Sequence, residues 1–106
     1  MRNTRQAGDA LGIASSSIMI RLIIADDHAI VREGLRLVIA QSRDIQVVAE
    51  AADGDEALRV AKDIAADVLL LDVTMPGPGV FELITELKSA RQKLRILVLS
   101  VHSEEH

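Results

Sequence analysis

Reactive polar side chains directly follow three short apolar runs of this sequence. Asp26 and Asp27 come after the run Ile20–Ala25, Asp72 ends a second run, and Ser100 follows a third. The carboxyl ends of parallel strands meet at one edge of a sheet, and functional sites form there at the switch point in strand order. If these runs are parallel strands, we expect three carboxylates and one hydroxyl to lie together at that edge.

Three neighbouring carboxylates repel one another at neutral pH unless one takes up a proton or a cation binds. Oxygen ligands favour Mg²⁺ or Mn²⁺ over zinc or copper. A hard divalent ion held by few carboxylates keeps coordination positions open for phosphate oxygens, which suits phosphoryl transfer. Asp72 is then the candidate nucleophile, forming an acyl phosphate, and Ser100 is a candidate hydrogen-bond donor to the phosphoryl group.

These residues also have plainer interpretations. A single aspartate at a strand end is commonly a helix cap or turn former, and serines end many strands. The coincidence of all of them at the ends of the first, third and fourth predicted strands is what favours a functional site. We interpret His28 as a solvated residue near a helix start, and we do not expect His102 and His106 to form a metal site.

The composition excludes several functional classes. The chain has 106 residues, enough for one domain. Its formal net charge of −4 argues against electrostatic binding to nucleic acid or to an anionic membrane. It has no cysteine, which excludes disulfides, thiolate zinc sites and cysteine nucleophiles. Phe81 is the one aromatic residue, so the chain lacks a base-stacking surface. The apolar runs are too short to span a bilayer.

Apolar runs and amphipathic segments alternate along the chain from residue 20, which predicts a βαβαβαβ order. Strands are predicted at 20–25, 47–49, 68–71 and 95–99, and helices at 29–41, after the Asp53-Gly54-Asp55 turn, and at 80–90. This alternation predicts an α/β fold with a doubly wound parallel sheet and helices on both faces. In the flavodoxin-like strand order 2-1-3-4, the strand that ends in Asp72 lies centrally.

The first 18 residues differ from the rest in composition. They mix small, polar and basic residues without sustained periodicity, and we predict a disordered N-terminal extension at 1–18, followed by the domain at 19–106. A mitochondrial-type presequence is the alternative, because this segment has two basic residues, Arg2 and Arg5, and only one acidic residue, Asp9.

Four segments resemble the receiver domain of bacterial two-component response regulators, in particular the NarL/FixJ (LuxR-type) subfamily. They are IIADDHAIVREGLRLVI, AADGDEAL, VLLLDVTMPG and ILVLSVHSEE, at the family's spacing. The resemblance implies a CheY-like fold and a cytoplasmic signalling domain that accepts a phosphoryl group from a sensor histidine kinase on Asp72. Such a domain is not a turnover enzyme, although it can catalyse its own phosphorylation and dephosphorylation.

The resemblance also implies roles for individual residues. Asp27 and Asp72 would ligate Mg²⁺ directly, together with the backbone carbonyl of Thr74. Asp26 would act through water, and Ser100 would be the switch hydroxyl that moves onto the phosphoryl group. In this subfamily the receiver usually precedes a helix-turn-helix domain that binds DNA and controls transcription, whereas this chain itself is not expected to bind nucleic acid.

The sequence departs from the family pattern at two points. It ends soon after the fourth predicted strand, so we expect a domain at 19–106 that lacks the fifth strand and the last helices. In the family the fifth strand carries a lysine that pairs with the phosphoryl group. Lys88 and Lys93 precede the fourth strand and cannot replace that lysine. Val80 stands where the family commonly has glycine, which is unfavourable if the backbone needs a positive φ, although Gly79 can absorb the turn.

These departures leave alternatives open. A bare fourth strand favours a homodimer through the exposed sheet edge, a hypothesis that fails if sedimentation shows a compact monomer with cooperative unfolding. A pseudo-receiver that is never phosphorylated and acts as a protein interaction module is the second reading. A phosphatase of the haloacid-dehalogenase type is the third, but the Asp-x-Asp-x-Thr pattern of that family is absent after Asp72.

Overall fold

The computed structural model describes residues 18–75 and 79–100, so the predictions for the N-terminal extension up to residue 17 and for His102 and His106 lie outside the described residues. The strands are β1 (Ile20–Ala25), β2 (Ile45–Ala51), β3 (Val68–Asp72) and β4 (Arg95–Leu99). The helices are α1 (Ala29–Ile39), α2 (Gly54–Asp63) and α3 (Val80–Ala90). All four strands are parallel in the order β2-β1-β3-β4, which confirms the predicted fold class.

Three elements differ in length from the prediction, and for β3 the difference is one residue, because the strand includes Asp72. Strand β2 extends beyond 47–49 at both ends, because its parallel pairing with β1 continues through Gln46 and Glu50. Helix α1 ends at Ile39, with Ala40 as its C-cap, earlier than its apolar pattern indicates. The bounds of β1, β4 and α3 agree with the prediction.

The core lies between the sheet and the pair α2 and α3. Strand β2 lies on one side of β1 and β3 on the other, so right-handed crossovers place α1 on one face and the other two helices on the opposite face. The buried residues of this core are Ile23, Ala25, Ala51, Ala57, Ala61, Leu69, Leu71, Leu83, Leu87 and Leu94. They hold the carboxyl ends of β1 and β3 rigidly in the middle of the sheet.

Helix α1 is less covered than its apolar stripe predicts. Val31 and Leu35 are half-buried, but Val38, one turn further along the same stripe, is 65% exposed. On its face of the sheet α1 is the one helix among the described residues, so its stripe is only partly covered. None of the helices in the described ranges is long and apolar enough to cross a membrane.

Strand β4 forms an edge of the four-stranded sheet. Leu97 is 60% and Val98 49% exposed, so apolar side chains on both faces of this strand are open to solvent. The structure therefore has, in its described part, the bare apolar edge expected from the sequence.

The loop between β2 and α2 ends in a reciprocal pair of hydrogen bonds. The Asp53 carboxylate caps the helix by accepting a bond of 2.8 Å from the backbone N–H of Glu56. The Glu56 carboxylate in turn accepts a bond of 2.9 Å from the backbone N–H of Ala52. This arrangement is a variant of the capping box in which Glu56 bonds the residue before the N-cap. It satisfies one amide group of the first helical turn and one of the preceding loop.

Replacing the cap residue tests this local contribution. We expect Asp53→Ala to lower the free energy of unfolding by about 1 kcal/mol, because one amide of the first turn loses its acceptor. Urea unfolding followed by circular dichroism measures the change. Asp63→Ala is the matched control at the other end of α2, where the helix dipole opposes a carboxylate and no stability should be lost. Equal losses in both variants would contradict the capping role.

Candidate functional site

The acidic residues lie beyond the carboxyl ends of β1 and β3, the two interior strands. Asp26 directly follows β1 and Asp72 is the last residue of β3, and they are only 1% and 2% exposed. The side chain of Asp27 is 29% exposed. Ligand atoms from these three carboxylates and from His28 all lie within 4.8 Å of one another. The structure thus brings together the three aspartates that the sequence predicts as a group.

His28 lies closer to the carboxylates than its interpretation as a solvated residue indicates. Its backbone N–H donates to Oδ1 of Asp26 at 2.8 Å, and its Nδ1 lies 3.0 Å from Oδ1 of Asp26 and 3.0 Å from Oδ1 of Asp27. The hydrogen bond to Asp26 and the negative charge of Asp27 raise the pKa of His28 above its ordinary value. Its place directly after an acidic pair, at the N-cap of α1, was the available sequence signal.

One carboxylate oxygen of the site has no partner. Oδ2 of Asp26 is buried and accepts no hydrogen bond from any of the described residues. Leaving a buried acceptor unpaired costs about 1–3 kcal/mol, and more for a charged group. An oxygen in this condition, beside two further carboxylates, has the character expected of a cation-binding group, and the donor set suits a hard divalent ion.

Asp72 is held by Thr74 in the turn that follows β3. The backbone N–H of Thr74 donates to Oδ1 of Asp72 at 3.0 Å, and the Thr74 hydroxyl lies 2.9 Å from each carboxylate oxygen. These contacts involve the amide and the hydroxyl of Thr74, whereas its predicted role concerns the backbone carbonyl. That role stays a prediction.

Ser100 lies at the same end of the sheet as the acidic residues. Asp72 is paired with Leu99 in the parallel register, and the backbone N–H of Val73 donates to the Leu99 carbonyl at 3.3 Å. Ser100 is the next residue after β4 and is exposed. The order β2-β1-β3-β4 therefore places Asp26 and Ser100 on opposite sides of Asp72, as the sequence predicts.

Arg32 supports the site from α1, although charged side chains on helices are usually solvated. Its Nη1 donates to the backbone carbonyl of Asp26 at 2.5 Å and its Nε donates to Glu50 at 2.9 Å. Glu50 also binds Nε of Arg36 at 2.8 Å. Arg32 thereby ties the turn after β1 to the end of β2, and only contacts in three dimensions reveal this.

The structure shows the surroundings of Val80 and Lys88, which the departures from the family pattern concern. Gly79 caps α3 with φ −58° and ψ 152°, and Val80 is the first residue of the helix, half-buried against the core. Neither position needs a positive φ, so the β-branched side chain carries no backbone cost there. Lys88 donates to the carbonyls of Gln92 and Leu94 in the loop before β4, at the opposite end of the sheet from the acidic site.

Comparison with known proteins connects this geometry to one family. The family model of the response regulator receiver domain matches residues 22–106. The response regulator UvrY of Escherichia coli strain K12 is 36% identical over 86 residues, which cover 81% of this chain and 39% of UvrY. The chain therefore spans about two fifths of the length of such curated relatives.

Solved structures of response regulators are also similar to this chain. A LuxR-family two-component response regulator from Aurantimonas sp. SI85-9A1 has a TM-score of 0.73 and 39% identity, over 80% of this chain and 61% of that one. The isolated REC domain of RcsB from Salmonella enterica serovar Typhimurium, in the presence of phosphomimetic BeF3−, has a TM-score of 0.74 and 32% identity, over 81% of this chain and 64% of that one. Both proteins are therefore similar to this chain in sequence as well as in fold.

Proposed function

We propose that this chain, which belongs to the response regulator receiver domain family, accepts a phosphoryl group on Asp72 from the phosphohistidine of a sensor kinase. The observation that carries the proposal is the geometry around Asp72. A buried carboxylate ends an interior strand, and further acidic ligand atoms lie within 4.8 Å of it. A nucleophile placed beside a cation-binding group is what phosphoryl transfer needs, because its catalysis consists mainly of positioning and charge neutralisation.

The step balances as a displacement at phosphorus. A carboxylate oxygen of Asp72 attacks the phosphorus of the donor, an oxygen–phosphorus bond forms, and the phosphorus–nitrogen bond breaks. The leaving imidazole nitrogen keeps the electron pair and takes up a proton. The product is a mixed anhydride on Asp72. The hydrogen bonds from Thr74 hold the carboxylate in one orientation before the attack, which lowers the entropic cost of the reaction.

Mg²⁺ is the proposed cofactor, and the residues present fit it. Asp27 and Asp72, with the backbone carbonyl of Thr74, would ligate the ion directly, and Asp26 would bind it through water. When bound, the ion neutralises charge on the phosphoryl oxygens. The unpaired Oδ2 of Asp26 supports this assignment, because a buried carboxylate oxygen needs a hydrogen-bond donor or a cation as its partner. Ser100 would donate a hydrogen bond from its hydroxyl to a phosphoryl oxygen once the anhydride has formed.

The proposed setting is two-component signalling in the cytoplasm. A sensor histidine kinase would be the phosphoryl donor, and a DNA-binding domain outside this chain would be the output that controls transcription. Among the structural relatives, RcsB has been solved bound to a promoter in the presence of phosphomimetic BeF3−. We assign no direct contact with nucleic acid to this chain, in keeping with its net charge of −4.

A second copy of the chain is the proposed partner of the β4 edge. Leu97 and Val98 are exposed residues of β4, and the outer backbone groups of this strand face no other strand of the described sheet. Such edges pair readily with another chain. We expect sedimentation analysis to show a dimer that dissociates on dilution. A monomer at all concentrations would remove this part of the proposal without affecting the site.

The test of the phosphoacceptor function is the intact mass of the protein after incubation with Mg²⁺ and a small acyl-phosphate donor. We expect one added phosphoryl group, which disappears when Mg²⁺ is removed with a chelator. An unchanged mass in the presence of Mg²⁺ would overturn the proposal. It would favour the alternative function, a pseudo-receiver that acts as an interaction module without being phosphorylated.

A further inference from the structure

We propose that His28 supplies a nitrogen ligand to the acidic site, so that this chain binds divalent transition-metal ions such as Co²⁺ through Asp26, Asp27, His28 and Asp72 in addition to Mg²⁺. The inference rests on the proposed function, because it concerns the same cation site. It assigns His28 a part in selecting the ion, beyond its position as the N-cap of α1.

The distances around His28 match those between ligands of one ion. Nδ1 lies 3.0 Å from Oδ1 of Asp26 and 3.0 Å from Oδ1 of Asp27. Adjacent ligands of an octahedral ion, each about 2.1 Å from the metal, are separated by about 3 Å, and opposite ligands by about 4.2 Å. The whole group lies within 4.8 Å, so small side-chain movements bring Asp72 into the same coordination sphere.

The unpaired oxygen of Asp26 is the independent observation that points to a ligand. The side chain is 1% exposed, its Oδ1 already accepts the backbone N–H of His28, and its Oδ2 has no donor among the described residues. The same backbone bond fixes the turn that holds the imidazole over the carboxylates. The side chain of His28 is 53% exposed, which leaves the site open to ions from solvent.

The donor set determines which ions gain from His28. An imidazole nitrogen suits cobalt, nickel and zinc ions, whereas Mg²⁺ prefers oxygen ligands and gains little from nitrogen. A site of carboxylates alone distinguishes these ions less strongly than a mixed site of carboxylates and imidazole. His28 therefore shifts the relative affinity towards transition metals, and this shift is separable from Mg²⁺ binding as such.

The test measures the affinities of the full chain for Mg²⁺ and Co²⁺ by isothermal titration calorimetry, with His28→Asn and His28→Asp as variants. Asparagine keeps a good helix cap, and aspartate puts an oxygen ligand in the place of the nitrogen. We expect His28→Asn to weaken Co²⁺ binding by about tenfold or more and Mg²⁺ binding by less than about threefold. His28→Asp should retain Mg²⁺ binding without recovering the Co²⁺ affinity.

A second readout follows the ligand itself. The visible absorption of bound Co²⁺ reports its donor atoms, and we expect the spectrum of the parent chain to change in both variants. Equal weakening of the two ions, equal strengthening of both, or an unchanged Co²⁺ affinity would overturn the role of His28 while leaving the Mg²⁺ site intact. Failure of the parent chain to bind either ion would overturn the cation site of the proposed function as well. Circular dichroism confirms that each variant is folded.

Discussion

Asp72→Asn is expected to abolish phosphoryl uptake by this chain completely. The amide of asparagine is a poor nucleophile and cannot form the mixed anhydride, so the loss should be total and not a reduction in rate. The substitution is nearly isosteric, and the oxygen of the amide can still accept the hydrogen bonds from Thr74. Intact-mass measurement with Mg²⁺ and an acyl-phosphate donor should show one added phosphoryl group on the parent chain and none on the variant.

A surface aspartate provides the control for this experiment. Asp63→Asn makes the same chemical change at the last residue of α2, outside the acidic site, and should leave phosphoryl uptake unchanged. Uptake that persists in Asp72→Asn would mean that another side chain accepts the group, and the assignment of Asp72 would be wrong. Loss in both variants would point to a general effect on folding, which thermal unfolding would reveal.

The sequence predicts the order of elements because each strand and helix carries its own periodicity. Short continuous apolar runs are typical of parallel strands, so β1 and β4 could be placed correctly, although β4 proves to be largely exposed. The predicted β2 is too short, because Gln46 and Glu50 interrupt its apolar run. Only the pairing of these two residues with β1 shows that they belong to the strand. The exposure of Val38 depends on how many helices cover its face of the sheet. Sequence periodicity does not predict that number.

The acidic group could be predicted because topology, more than detailed packing, brings its members together. Asp26, Asp27 and Asp72 follow from the rule that parallel strands present their carboxyl ends at one edge. The contacts of His28 and Arg32 could not be predicted in this way, because they depend on side-chain directions at the start of α1. A histidine or arginine at the start of a helix is usually solvated, so sequence context alone does not reveal the contacts of Arg32.

Asp26→Asn is expected to separate the stability of the fold from its function. In the metal-free protein we expect the free energy of unfolding to rise by about 1–3 kcal/mol, because the substitution removes a buried, unpaired carboxylate oxygen. The new amide group can donate to the neighbouring carboxylates, which relieves the repulsion among the three acids. Phosphoryl uptake should fall by about 10- to 100-fold, the effect typical of losing a group that orders a metal site through water.

Asp67→Asn is the matched control for this trade-off. Asp67 lies just before β3, at the opposite end of the sheet, where its Oδ2 accepts the backbone N–H of Arg21 at 2.8 Å. That carboxylate is already satisfied, so its replacement should leave stability unchanged or slightly lower and should not affect phosphoryl uptake. Urea unfolding in the presence of a chelator measures the first quantity, and intact mass over time the second. If Asp26→Asn instead lowers stability, the unpaired oxygen is not a source of strain. If uptake is unaffected, Asp26 has no part in holding the ion.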